Sequence, residues 1–274
     1  MGRSCATGMV LAALAAASGC GGQYILTVPD QVARAGGQTT AIVRLQRNDF
    51  FVLAPAVKDA PMRFGVAEEK QRGAFTDKLG YAGTAVSVPA RPGRYRLRVI
   101  HLDRFGDEVV AEAPVYAWDP NRPVIAVDMD CLPGLTLGSS AQGSRALRAL
   151  AASAKVLYLT RRSTRRHAET HKMLERAGYP DGPVLAWQQQ RWHIVREGRF
   201  RLPRVVVESR LVSQLPELRK LFPKMDLGVC DAKLAAEAFA GAGLNVLLVG
   251  RTPVEVTTRL IRRNSWADLA ARGP

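Results

Sequence analysis

The residues best equipped for chemistry sit in the stretch PVIAVDMDCLPG, Pro123 to Gly134. Four apolar residues run straight into Asp128 and Asp130, which stand one residue apart. A short apolar run that ends on two carboxylates reads as a buried strand delivering hard oxygen ligands at its tip. Two further polar groups end comparable runs. Thr160 closes KVLYLT and is followed by Arg161 and Arg162, and Asp231 follows DLGVC. Carboxylates at a strand end suit Mg2+, which keeps several waters and takes few protein ligands. A carboxylate beside that ion can attack phosphorus, and a second can move the proton. Each residue also has a plainer use. The paired aspartates can cap the start of a loop, Thr160 a turn, and Asp231 the helix that AKLAAEAF predicts. Arg161, Arg162, Arg165 and Arg166 form a solvated basic turn or, on the sharper reading, recruit an anionic head group. His167 and His171, at i and i+4, share one helix face that could bind a metal, but spacing supplies no third ligand.

These groups need a scaffold that brings strand ends together. From Val124 onward, strands alternate with helices. VIAVD, KVLYLT, VVVES, DLGVC and NVLLVG read as strands; SSAQGSRALRALAASA, RHAETHKMLERAG and AKLAAEAFAGAG read as helices. That alternation implies a parallel sheet covered on both faces, with ligands beyond the carboxyl ends of its strands. The residues from Tyr24 to Trp118 follow another pattern. TAIVRLQR, TAVSVPA, YRLRVIHLD and EVVAEAPVYAW alternate or are β-branched, and RAGGQ, TDKLGYAG, ARPGRY and RFGDE punctuate them. Regular turn signals of this kind predict an antiparallel sandwich. No catalytic cluster falls in it, so its expected role is a spacer or an interaction module. WDPNRP, Trp118 to Pro123, reads as the joint.

The chain of 274 residues is 47% hydrophobic, enough for real cores. Its net charge of +15 permits anionic partners, but the basic residues are scattered and no nucleic-acid-binding signature accompanies them. The start, MGRSCATGMVLAALAAASGC, has a basic head, an apolar run and small residues, the pattern of a secretory signal too short for a lasting span. Its end, AASGC, resembles a bacterial lipobox, which implies a lipidated Cys20 and an anchor on the extracytoplasmic side of an envelope membrane. The plainer alternative is an ordinary signal with an incidental cysteine. Trp187 and Trp192 read as packing residues.

The set VIAVDMD, VLYLTRRSTRRHAETHKMLERAGYPDGPVL and LRKLFPKMDLGVCDAKLAAEAFAGAGL resembles the haloacid dehalogenase superfamily of phosphohydrolases, and within it the catalytic domain of the lipins, which are phosphatidate phosphatases. FTDKLGYAGTAVSVP and RPGRYRLRV resemble bacterial immunoglobulin-like modules, with Tyr95 in a tyrosine-corner-like role. The expected organisation is therefore a signal over 1–19, an immunoglobulin-like sandwich over 20–118, and a lipin-type α/β domain over 123–274. By the resemblance, Asp128 is the nucleophile, Asp130 the general acid/base, Thr160 the phosphoryl-holding residue, and Asp231 a metal ligand with Asp128 and Asp130. Arg161 and Arg162 would bind the anionic ligand. The sequence departs from the family at three places. Cys131 and Leu132 replace Gly and Thr, Ala235 replaces a second acid, and Arg210 stands near the place of the family's lysine.

In the sheet the resemblance implies, Cys131 follows the first carboxylate pair and Cys230 immediately precedes Asp231 on the neighbouring strand, and both would lie in an oxidising compartment. A Cys131–Cys230 disulfide is expected on that ground, against the alternative of two small buried thiols. Two functions follow from the sequence. One is a membrane-tethered, Mg2+-dependent phosphatase for a phosphatidate-like lipid or small phosphomonoester. The other is a catalytically degenerate envelope lipoprotein that binds a ligand or partner.

Overall fold

The computed structural model describes residues 24–47, 54–67, 70–135, 141–197, 200–256 and 258–273, without the side chains of 189–208 and 272. The expected signal segment and Cys20 lie outside the described residues. The architecture is mixed α/β.

The first half holds β1 (Tyr24–Thr27), β2 (Gln31–Arg34), β3 (Gln38–Arg47), β4 (Pro61–Val66), β5 (Arg72–Phe75), β6 (Tyr81–Ser87), β7 (Gly93–Leu102) and β8 (Glu108–Trp118). They form a three-stranded sheet, β1-β3-β6, and a five-stranded sheet, β2-β8-β7-β4-β5. Alternation decides which face is buried. In β4, Met62, Phe64 and Val66 point inward while Pro61 and Arg63 are exposed. Val43, Leu45 and Ala82 of the small sheet meet Phe64, Leu97, Val99 and Val115 of the large one in a single core. The halves of the sandwich are thus held by apolar burial. The expected all-antiparallel pattern needs one correction. β2 runs parallel to β8, from Gln31 opposite Val115 to Arg34 opposite Trp118. The chain switches sheets over residues 28–30 and so meets the edge of β8 running alongside it. The Tyr95 hydroxyl donates to the Arg91 carbonyl at 2.6 Å, the local contact expected of a corner tyrosine.

The second half holds β9 (Val124–Asp128), α1 (Ala141–Ala151), β10 (Lys155–Thr160), α2 (His167–Arg176), β11 (Val184–Ala186), β12 (Gln188–Glu197), β13 (Phe200–Ser209), α3 (Leu211–Leu221), β14 (Met225–Cys230), α4 (Lys233–Gly241), β15 (Asn245–Val249), β16 (Leu260–Arg263) and α5 (Trp266–Arg272). Six strands form a parallel sheet in the order β11-β10-β9-β14-β15-β16. Every residue of β9 is buried, as its unbroken apolar run requires. Its alternate side chains enter different cores. Ile125 and Val127 pack with Leu147 and Leu150 of α1 on one face. Val124 and Ala126 pack with Leu215 of α3 and Phe239 of α4 on the other. Gly228 lets α4 press onto β14, since a Cβ there would lie 2.4 Å from the Phe239 ring.

The segment VVVES does not join this sheet. It belongs to β13, which pairs antiparallel with β12 in a separate two-stranded ribbon. The two halves also do not stand apart as a spacer and a head. Val32, Tyr116 and Trp118 share a core cluster with Leu218 and Phe222, and the Trp118 and Phe222 rings lie 5.5 Å apart. Arg34 Nε donates to the Leu221 carbonyl at 2.7 Å, and its guanidinium also reaches the Lys220 carbonyl, so a sandwich residue satisfies the end of α3. The Tyr116 hydroxyl donates to Asp181 at 2.9 Å.

Candidate carboxylate site at the strand ends

β9 lies at the centre of the parallel sheet, between β10 and β14. Its last residue, Asp128, is buried, and a short 3-10 turn, Met129–Cys131, follows it. Asp128 Oδ1 accepts from the Asp130 amide at 3.1 Å and so caps that turn. The capping reading therefore holds for Asp128 at the same time as it sits on a strand end.

On one side, Thr160 ends β10, buried, and its hydroxyl donates to Asp130 Oδ1 at 3.2 Å. The same hydroxyl accepts from the Arg162 amide at 3.1 Å. Arg161 gives Asp130 Oδ2 two donors, its amide at 3.0 Å and its Nε at 3.1 Å. On the other side, β14 ends at Cys230 and hands the chain to Asp231. Strand order thus gathers Asp128, Asp130, Thr160 and Asp231 at one end of the sheet, from three segments spread over about a hundred residues.

Burial dominates there, and like charges add to it. Burial pushes the Asp128 carboxyl up to about 6, and the Asp130 and Asp231 charges push in the same direction. Burial also raises Asp231. The nearby Arg161 opposes both shifts. Hard oxygen donors with surplus negative charge are the donor chemistry that Mg2+ takes. The oxygens have not closed around one point, however. Among the described residues, Asp30, His167 and His171 are the group whose ligand atoms all lie within 4.8 Å of one another. Asp128, Asp130 and Asp231 do not form such a group.

Several residues singled out in the sequence fall elsewhere. The Arg162 guanidinium turns away, to Met173 Sδ at 3.0 Å and the Leu135 carbonyl at 3.3 Å. Arg210 is exposed at the start of α3, its amide bonded to the Trp187 carbonyl at 2.7 Å. The cation paired with Asp130 is Arg161, not Arg210. Asp231 does not cap α4, whose N-cap position belongs to Ala232. Ala235 is buried in the α4 core, and the flanking Lys233 and Glu237 pair with each other at 3.7 Å. The expected Cys131–Cys230 disulfide is not formed. Both are buried free thiols, and Cys131 Sγ donates instead to the Asp128 carbonyl at 2.8 Å. Burial raises both thiols, Cys230 to about 12. Cys131 and Leu132 pack into the core beside Leu135, so the turn after the aspartates is anchored there. Trp187 is buried, and the side chain of Trp192 lies outside the described residues.

One polar cluster escaped the sequence. Asp30, on the loop between β1 and β2, accepts from Nε2 of both His167 and His171, the second at 2.8 Å, and from the Val184 amide at 2.7 Å. The i, i+4 histidine pair was the only signal toward it.

No protein-family model matches the chain, and no curated protein matches it. Solved structures similar to parts of it include the D0-D1 domain of intimin, at 17% identity and a TM-score of 0.24, over 34% of this chain and 47% of that one. A carbohydrate acetylesterase from Xanthomonas citri aligns at 14% identity and a TM-score of 0.27, over 72% of this chain and 38% of that one. PhoD aligns at 11% identity and a TM-score of 0.29, over 59% of this chain and 37% of that one. The chain spans about half the length of the intimin fragments it matches. At such TM-scores these likenesses carry no weight for function.

Proposed function

We propose that the α/β half is a phosphohydrolase domain of the haloacid dehalogenase type, acting on a phosphatidate-like lipid or small phosphomonoester. The observation that carries this reading is the convergence of Asp128 and Asp130, at the tip of the central strand, with Thr160 and Asp231 at the tips of its two neighbours. The strand order supports it too, since the nucleophile's strand is flanked by the strands bearing the second and fourth motifs. In the proposed reaction an Asp128 oxygen attacks phosphorus and the P–O ester bond breaks. Asp130 gives its proton to the leaving oxygen, then takes one from the water that hydrolyses the aspartyl phosphate. The Thr160 hydroxyl and the Arg161 guanidinium hold phosphoryl oxygens. Asp128, Asp130 and Asp231 would hold Mg2+, which supplies neutralising charge between carboxylates and phosphate. The chain works at an envelope membrane, anchored through lipidated Cys20, and the sandwich is an immunoglobulin-like module beside the catalytic half.

A second reading is favoured by one specific observation. Both Asp130 oxygens are already engaged by Thr160 and Arg161, and Ala235 is buried where a further acid would stand. On that reading the crevice binds a phosphorylated ligand without turning it over.

The deciding experiment assays the full chain, in detergent, against phosphatidate and p-nitrophenyl phosphate with and without Mg2+, beside Asp128→Asn. Mg2+-dependent release of phosphate that disappears in Asp128→Asn supports the enzyme. Ligand binding without release supports the second reading. Release that persists in Asp128→Asn defeats the assigned nucleophile. Acyl labelling and membrane pelleting, both lost in Cys20→Ser, test the anchor.

A further inference from the structure

We propose that Asp30, His167 and His171 form a binding site for a divalent transition-metal ion of the Zn2+ class, shared between the two halves of the chain. The site is separate from the strand-end crevice and does not depend on its being catalytic. Its parts come from both sides of the joint. Asp30 sits on the sandwich loop before β2, and the histidines stand on successive turns of α2.

The geometry is that of a ligand set. His167 and His171 at i and i+4 share a helix face, and their rings lie 4.9 Å apart at 77°. Both direct Nε2 at Asp30, one toward each carboxylate oxygen. One ligand atom from each residue falls within 4.8 Å of the other two. Two imidazoles and a carboxylate, with one position left for water, are a donor set that Zn2+ accepts. Mixed N and O donors also favour a transition ion over Mg2+.

Burial argues the same way. The Asp30 side chain is wholly inaccessible, while those of His167 and His171 are 13% and 22% exposed. A buried carboxylate demands compensating positive charge. The imidazoles supply it as the chain stands, and an ion entering past them takes over that part by displacing the protons on the two Nε2 atoms. The Val184 amide, bonded to Asp30 Oδ2, plays the orienting part that outer groups play around ligating carboxylates. Bound there, the ion ties the sandwich loop to α2, and through Val184 to the edge of the parallel sheet.

The test uses the untagged full chain, stripped with chelator and titrated with Zn2+ by equilibrium dialysis and with Co2+ by visible absorption. With Mg2+ kept in excess, so that the strand-end crevice does not take up the titrant, the expected result is one Zn2+ or Co2+ ion per chain, with the d–d bands of a low-coordinate Co2+ site. His167→Ala and His171→Ala should each weaken binding by about a hundredfold, the upper end of what loss of even an outer-shell partner costs. Asp128→Asn should leave stoichiometry and affinity unchanged. His171→Cys, checked for folding by circular dichroism, should restore binding and add a thiolate-to-Co2+ charge-transfer band. Absence of binding in the folded wild-type chain overturns the site, as does equal binding in His171→Ala. Loss of binding in Asp128→Asn places the ion in the other crevice and also overturns it.

Discussion

The carboxylates of the strand-end crevice and the carboxylate at the joint live in opposite electrostatic surroundings. Asp128 is buried beside two other acids, with Arg161 as the cation at hand, and its carboxyl is driven up to about 6. Asp30 is buried more deeply, and burial alone would raise it. The hydrogen bonds and charges of His167 and His171 outweigh that and hold it below the ordinary carboxylate value. The difference lies in where the partners come from. Parallel strands end side by side, so acids placed at their tips crowd one another and leave compensation to something that arrives from solution. The joint draws its acid and its bases from different halves, so compensation is part of the fold.

Substitutions can break or sharpen this contrast. The largest effect belongs to the crevice. If it hydrolyses phosphomonoesters, Asp128→Asn abolishes turnover in a phosphate-release assay, and Asp130→Asn lowers it by about 10²–10⁴-fold. At the joint, Asp30→Ala leaves the Val184 amide and two imidazoles without their acceptor. It should destabilise the fold by about 3–5 kcal/mol in urea unfolding. A smaller effect of opposite sign is expected in the crevice. An acid whose pKa is raised is costly when ionised, so at neutral pH without metal Asp128→Asn should leave stability unchanged or raise it by about 1 kcal/mol. A loss of stability there would mean that Asp128 is compensated as Asp30 is. The smallest signal is a thiol count by mass spectrometry. Cys131 and Cys230 should resist alkylation in the native protein and both react once it is denatured. A bridge that survives denaturation would restore the expected disulfide.

The strand ends were legible because VIAVD and KVLYLT are short, β-branched apolar runs bounded by turn residues, which favours buried strands over helices. Their convergence then follows from strand order. Other features left weaker traces. α3 carries Pro216 inside LVSQLPELRKL, which reads as a break, yet Leu211, Leu215 and Leu218 still hold one buried face. VVVES has the composition of a buried strand, and nothing local says that its partner is the polar run Gln188–Glu197. β2 is only four residues long, and its parallel pairing is decided by a sheet change that leaves no composition signal. Asp30 was invisible for a different reason. It lies 137 residues from His167, and a lone acid after a proline announces no partner.

The apolar cluster that joins Trp118 to Phe222 has a consequence for taking the molecule apart. Val32, Tyr116 and Trp118 of the sandwich share that cluster with Leu218 and Phe222. A sandwich produced alone, ending at Trp118, would leave this Trp–Tyr–Val patch in water. Such a fragment should bind a hydrophobic dye and self-associate on a sizing column, while the whole chain should do neither.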